Sequence, residues 1–330
     1  EVFIDGQFIG RHIGGSSSFC MDLTRFAKAG NTHNLIVYVK DEQRSGLQTI
    51  GKQCNNFYSG GCSYTRVTGI WQTVWLEAVA PAGLKAAVIR PDIDQQQFVI
   101  EPEFYNESDG TLEVTLLDGQ KTIGRKSVKC ANSSTVILPV KKPKLWTPET
   151  PHLYDIIYRI KDTQGHLIDE VKSYAGMRKV HTANGLFYLN NEPYYQRLVL
   201  DQGYYPEGIW TAPTDEALKH DIELGKESGF NGARLHQKIF EERYYYWADK
   251  LGYITWGESP SWGSDVNNEL AVRNFISEWS ETVIRDRNHP SLVTWTPFNE
   301  TWGGGPDTYV RLIQDIYHIT KAIDPTRPIN

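Results

Sequence analysis

The 330 residues contain no apolar run approaching the ~20 that cross a bilayer, so a membrane-spanning helix is excluded. Positive charge is in deficit: 34 Lys and Arg against 40 Asp and Glu leave a formal charge of −6. That balance argues against a nucleic-acid partner, whose phosphates call for a basic face. Cysteine is scarce, and Cys20, Cys54, Cys62 and Cys130 fall at no metal-ligating spacing. Cys54 and Cys62 flank a loop and suit a disulfide as well as two free thiols, so no compartment follows. The stretch opens on Glu1, inside what reads as a strand, without an initiating Met or a signal peptide; an earlier start is expected.

What is present is an ordinary globular composition, 40% hydrophobic and 22% charged, in a chain long enough for two or three domains. Ten Trp and 18 Tyr are generous. Such aromatics suit stacking on sugar rings, and equally the filling of cores.

The first part reads as all-β. "VFIDGQFIG" is a hairpin about Asp5-Gly6, a pair that tolerates a tight turn, and "NLIVYVK" (34–40) alternates as a strand does. "GIWQTVWLEAV" (69–79) predicts a further strand. Between them residues 41–68 show no periodicity and read as long loops, of a length that is often functional. From 84 to 180, "FVIEPEFYN", "GTLEVTLLD", "STVILPV" and "YDIIYRI" recur at regular spacing, parted by Ser108-Asp109-Gly110 and Asp162–Gly165, the rhythm of an immunoglobulin-like sandwich.

After about residue 181 strands and helices alternate. "YYQRLVL" (194–200), "GARLH" (232–236), "YITWGE" (253–258) and "SLVTW" (291–295) read as strands, and "RPIN" (327–330) as the start of a fifth. Between them lie a helix within 213–229 capped by Thr214, one lined by Phe240, Tyr244, Trp247 and Leu251, one lined by Val272, Phe275, Ile276, Trp279 and Val283, and one lined by Leu312, Ile316, Ile319 and Ile323. The alternation predicts parallel strands with helical crossovers, either doubly wound or a (β/α)8 barrel. Asp201, His236, Glu258 and Glu300 each fall just past the apolar part of a strand, where barrel enzymes gather their chemistry, and the first turn, "LDQGYYPEG", lacks the glycine spacing of a nucleotide-binding fold. Both points favour the barrel.

The motifs themselves resemble a family. "RDRNHPSLVTWTPFNE" (285–300) is similar to the acid/base signature of glycoside hydrolase family 2, the family of β-galactosidases, β-glucuronidases and β-mannosidases. "GIWQTVWLE" (69–77) resembles the strand closing its N-terminal sugar-binding jelly roll, and "LWTPETPHLYDI" (145–156) with "YAGMRKV" (174–180) its immunoglobulin-like domain and the junction into the barrel. "GFNGARLH" (229–236) matches the first barrel signature in part, with His236 one place early and no Tyr-Pro after it, a departure that leaves the identity of the sugar open. The resemblance implies a multidomain β plus α/β chain: an N-terminally incomplete jelly-roll β-sandwich over 1–81, an immunoglobulin-like β-sandwich over 82–180, and the first half of a (β/α)8 TIM barrel over 181–330. It further implies a retaining exo-β-glycosidase of the β-galactoside or β-glucuronide type acting on oligo- or polysaccharides, with no cofactor and no metal. Glu300 matches the general acid/base and Asn299 the residue that hydrogen-bonds the sugar 2-hydroxyl. The family's nucleophile, a glutamate ending barrel strand seven, is expected outside a stretch that reaches only strand five. The stretch alone is accordingly expected to be inactive and poorly soluble, its exposed sheet edges completed by another copy or another chain.

Other readings stand beside these. Arg234, His236, Glu258 and Asp201 suit sugar binding at the strand ends, and as readily salt bridges or core positions. Trp256, Trp262 and Trp302 suit stacking on a sugar or packing at the rim, with Trp302, just past the acid, the foremost of them. A zinc-hydrolase reading of His236, Glu258 and Asp201 lacks the short His or Cys spacing such sites use. A non-catalytic carbohydrate-binding fragment is the alternative to an enzyme.

Overall fold

The computed structural model describes residues 1–301 and 306–330. At the start, β1 (Val2–Ile4) and β2 (Gln7–Gly10) form an antiparallel hairpin. Its turn residues Asp5 and Gly6 both take positive φ, 49° and 80°, the sense that matches strand twist. β3 (Leu35–Val37) pairs antiparallel on the other side of β1 and is shorter than the alternation over 34–40 predicts.

Residues 69–79 form no strand, contrary to the expectation from their alternation. Apolar alternation supplies side chains for a face, but a strand also needs a neighbour for its backbone ladder, and no described residues pair with this segment. Val74, Trp75 and Leu76 stay 61%, 61% and 80% exposed. Residues 41–68 contain neither helix nor strand, as expected.

The second unit is a sandwich. β4 (Leu84–Asp92), β5 (Gln97–Phe104), β6 (Thr111–Asp118), β7 (Lys121–Lys129), β8 (Val136–Pro139), β9 (Tyr154–Lys161) and β10 (Leu167–Ala175) make two antiparallel sheets, in the orders β4-β5-β8 and β10-β9-β6-β7. Alternate residues point inward: Phe98, Ile100 and Phe104 from one sheet meet Leu112, Val114, Leu116, Tyr154, Ile156, Tyr158 and Ile160 from the other, all buried. Each such side chain contributes about 1.5–3 kcal/mol, so this face sets the register. A small sheet follows: β11 (Val180–Ala183), β12 (Leu186–Leu189) and β13 (Glu192–Pro193). Its Val180 and Leu189 pack with Trp146 against Ile254 and Val293, at the starts of two of the strands that come next.

Those strands are β14 (Leu198–Asp201), β15 (Gly232–Leu235), β16 (Ile254–Glu258) and β17 (Leu292–Thr296), parallel and in sequence order, connected by α1 (Asp215–Glu227), α2 (Glu242–Leu251) and α3 (Glu269–Asp286), with α4 (Pro306–Ile323) after the last. β16 and β17 are buried almost throughout, on both faces, whereas β14 at the edge is only part-buried, with Leu200 exposed. Thr214 caps α1 through the Ala217 N–H at 3.1 Å, and Gly252 ends α2 in the left-handed conformation. Ile222, Tyr244, Phe275, Trp279 and Ile316 supply the helix layer, with Trp279 edge-on to Trp295. Ile329 bridges in parallel to Trp295, the opening of a fifth strand. No described helix is long and apolar enough to cross a membrane.

Candidate active site

The strand ends converge on one buried carboxylate. Glu258, the last residue of β16, is fully enclosed, and an ionised group there needs partners. Arg234, near the end of β15, donates Nε to its Oε2 at 2.6 Å. The Gln237 N–H donates to its Oε1 at 3.0 Å. The His236 Nδ1 lies 2.8 Å from the same Oε1, close but off the line a hydrogen bond wants. Of the readings of Arg234 and Glu258, the salt bridge is the one the structure shows.

Arg234 reaches further. Its Nη2 donates to Asn299 Oδ1 at 2.7 Å, so one guanidinium joins the end of β16 to the segment beyond β17. Because a guanidinium only donates, the Asn299 atom facing it is the carbonyl oxygen, and the amide NH2 is turned elsewhere, with no partner among the described residues. The Asn299 backbone is fixed as well: its N–H donates to Ser261 Oγ at 3.2 Å, and its carbonyl accepts from Trp262 Nε1 at 2.8 Å. Ser261 also accepts from Gln237 Nε2 at 3.3 Å.

β17 is buried from Leu292 to Thr296, Asn299 is half-buried, and Glu300 is exposed. Glu300 takes φ 43°, a left-handed conformation uncommon for a residue with a side chain, and its carboxylate has no hydrogen bond among the described residues. The strand is therefore core until its mouth, where the chain turns sharply and leaves an acid facing out.

Asp201 stands apart from this cluster. Its carboxylate accepts from the Gly203 N–H at 2.9 Å and from the Tyr244 hydroxyl of α2 at 3.4 Å, and burial pushes its pKa up, with Asp221 adding to the shift. Its link to the cluster is through the backbone, its carbonyl accepting from the His236 N–H at 2.6 Å. Trp256 donates Nε1 to Gln196 and packs, partly buried, against the cluster of Trp146, Val180, Leu189, Ile254 and Val293. Trp302 lies outside the described residues. Among the described residues no three His, Cys, Asp or Glu side chains are arranged to hold a metal.

Sequence reasoning did not single out Ser261 or Gln237. Ser261 and Gln237 lie beyond strand ends, where position gives a signal.

Comparison with known proteins bears on what this cluster belongs to. The model of the family described as "Glycosyl hydrolases family 2" matches residues 84–178, and that of "Glycosyl hydrolases family 2, TIM barrel domain" matches 180–330. The chain belongs to glycosyl hydrolase family 2. Its fold is that family's β-sandwich architecture followed by the opening half of a TIM barrel. A putative β-glucuronidase of Formosa agariphila is 27% identical, matching 99% of this chain and 40% of its own length. A β-galactosidase of Pseudoalteromonas haloplanktis is 26% identical over 80% of this chain and 27% of its own length. Among solved structures, the β-glucuronidase from Ruminococcus gnavus in complex with D-glucuronic acid superposes with a TM-score of 0.84 at 23% identity, covering 99% of this chain and 57% of that one, a likeness of fold. The chain spans less than half the length of these two relatives.

Proposed function

We propose that the protein is a retaining exo-β-glycosidase, with Glu300 as general acid/base. The observation that carries this reading is the Glu258–Arg234–Asn299 relay, which holds the residue next to Glu300 at the barrel mouth. Glu300 would protonate the glycosidic oxygen as the bond breaks, then take a proton from the water that releases the sugar. Asn299, its Oδ1 committed to Arg234, presents NH donors that suit the sugar 2-hydroxyl, a contact that strengthens in an oxocarbenium-like transition state. The mechanism asks for a second glutamate about 5–5.5 Å from Glu300, taken to come from a later barrel strand. The relatives named as β-glucuronidases and β-galactosidases support a β-glycosidic substrate. With the reading goes a division into an N-terminal β unit over 1–81, a sandwich over 82–180 and a barrel from 181.

Glu300→Gln keeps the shape and removes the exchangeable proton. Hydrolysis of glycosides with poor leaving groups is expected to slow by ~10²–10⁴-fold, the usual worth of general acid catalysis. Activated aryl glycosides should still form the covalent intermediate, and azide should restore turnover as the retained β-glycosyl azide. Equal loss on both kinds of substrate, without azide rescue, would remove Glu300 from the role.

A further inference from the structure

The Glu300 carboxylate makes no hydrogen bond to a described residue, so its backbone alone aims it, from φ 43°. That conformation is disfavoured for a residue with a side chain and persists only where the surroundings hold it. One hydroxyl meets the chain on both sides of Glu300. Ser261, in the loop after β16, is 1% exposed; its Oγ accepts from the Asn299 N–H at 3.2 Å and lies 3.1 Å from Thr301 Oγ1. Thr301, also buried, donates Oγ1–H to the Asn299 carbonyl at 3.2 Å, which closes a ring with Glu300 at its apex. The segment 41–68 lies over the Ser261 loop and pins its neighbours, Ile50 donating to the Trp262 carbonyl at 2.8 Å and Gly51 to the Pro260 carbonyl at 3.2 Å.

The direction of each bond follows by elimination. The Trp262 N–H only donates, so the Gln237 atom 3.2 Å from it is Oε1, and Nε2 faces Ser261 as a donor at 3.3 Å. The Asn299 carbonyl only accepts, so it takes the Thr301 proton, and the Ser261 proton goes to Thr301 Oγ1. Ser261 thus accepts twice and donates once, the full capacity of a hydroxyl. Asn299 does not depend on it: Arg234 holds its Oδ1 at 2.7 Å and Trp262 Nε1 its carbonyl at 2.8 Å, while Phe298 before it stacks on Phe275 of α3. Among the described residues the Thr301 hydroxyl reaches only Ser261 and Asn299. Loss of the Ser261 hydroxyl therefore frees the chain after Glu300 and leaves the chain before it in place.

We infer that Ser261 is a positioning residue for Glu300: it is too enclosed to touch substrate, and it sets where the proton of the acid is delivered. The inference rests on the reading of Glu300 as general acid/base and adds to it. Proton transfer needs the acid within hydrogen-bond reach of the glycosidic oxygen, and a misplacement of about 1 Å can cost about 10²-fold.

The test measures kcat/KM of the full chain on methyl and dinitrophenyl β-D-galactosides and β-D-glucuronides. The proteins are the wild type, Ser261→Ala, Ser261→Thr, Glu300→Gln and the double variant of Ser261→Ala with Glu300→Gln. Methanol needs a proton to depart and dinitrophenolate does not. Ser261→Ala should lose about 10–100-fold on the methyl glycoside and under about three-fold on the dinitrophenyl one. Ser261→Thr keeps the hydroxyl, and a small cavity lined by Ser261, Phe275, Phe298 and Thr301 can take its methyl, so it should recover most of the loss. In Glu300→Gln, which has no proton to aim, adding Ser261→Ala should cost under about three-fold more. A protein that merely folds less well loses rate on both leaving groups alike. Equal loss on both, no loss, or a loss that multiplies with that of Glu300→Gln overturns the inference while Glu300 keeps its role. Glu300→Gln as fast as the wild type on the methyl glycoside overturns that role and the inference with it. If Ser261→Ala does not fold, Thr301→Val removes the other hydroxyl of the ring and should show the same split between leaving groups; its absence overturns the inference.

Discussion

At the scale of single residues, the site separates into groups visible in the sequence and groups visible only in the fold. Asn299 and Glu300 were legible because an apolar run ended on two polar residues, and burial follows the same boundary, from fully buried Thr296 to exposed Glu300. What the sequence left open at Arg234 and Glu258 was whether they bind substrate or each other. The geometry shows the second: Arg234 bonds Glu258, and it also bonds Asn299, a proposed substrate contact. Arg234→Lys tests the point, since an ammonium lacks the fork that spans two acceptors on different elements. It should lower kcat/KM by about 10–100-fold, one charge-assisted hydrogen bond's worth, while the melting temperature changes little. Glu258→Gln should act differently, destabilising by about 2 kcal/mol, less than a sealed pair costs because the Arg234 side chain is 27% exposed. A Lys variant with unchanged kcat/KM would show that Arg234 does not act through Asn299.

At the scale of elements, the four β/α units were readable because their periodicities and caps agree, down to Thr214 as the cap of α1. The failure at 69–79 is equally physical: side-chain alternation was there, but strand identity rests on a hydrogen-bonded neighbour, which no local pattern encodes. From that segment Trp71 still contributes, donating to the Gly15 carbonyl and stacking on Trp210 at 5.0 Å. The family-like stretch 285–300 also divides in two. Its first half is an anchor: Asn288 bonds the backbone of Ile89 and Ala87 in β4, and the carbonyls of Pro290 and Leu292 accept from Arg178. Its last two residues face the mouth. The docking of 41–68 was not legible at all, since it rests on a close approach that only a glycine permits. Gly51→Ala places a Cβ against the Gln237 carbonyl at a positive φ, and should cost about 1–3 kcal/mol. Hydrogen exchange should show the loss concentrated in residues 46–64; a melting temperature and exchange pattern equal to wild type would mean the segment is not held by this contact.

At the scale of the whole molecule, sandwich and barrel meet around one buried aspartate of α2. Asp249 accepts from the Tyr174 hydroxyl of β10 at 2.9 Å and from the Ser291 N–H at 2.8 Å, its carbonyl accepts from Trp146 Nε1, and its Oδ2 lies 2.6 Å from His289 Nδ1. Burial works against the charged imidazole, but the Asp249 carboxylate outweighs it and holds the His289 pKa above its usual value. A histidine whose pKa is higher folded than unfolded binds its proton more tightly in the native state. Its contribution is then fully present below the unfolded value of about 6.5 and is lost as pH rises through the folded one. The junction should therefore weaken on the alkaline side of neutrality. Scanning calorimetry from pH 6 to pH 9 should show the melting temperature of the wild type falling across that window. His289→Gln, which cannot take up the proton, should melt lower at pH 6 and converge towards the wild type as the pH rises. Melting curves that stay parallel for the two proteins across the range would mean that His289 is uncharged at the junction, and that Tyr174, Ser291 and Trp146 hold the aspartate without it.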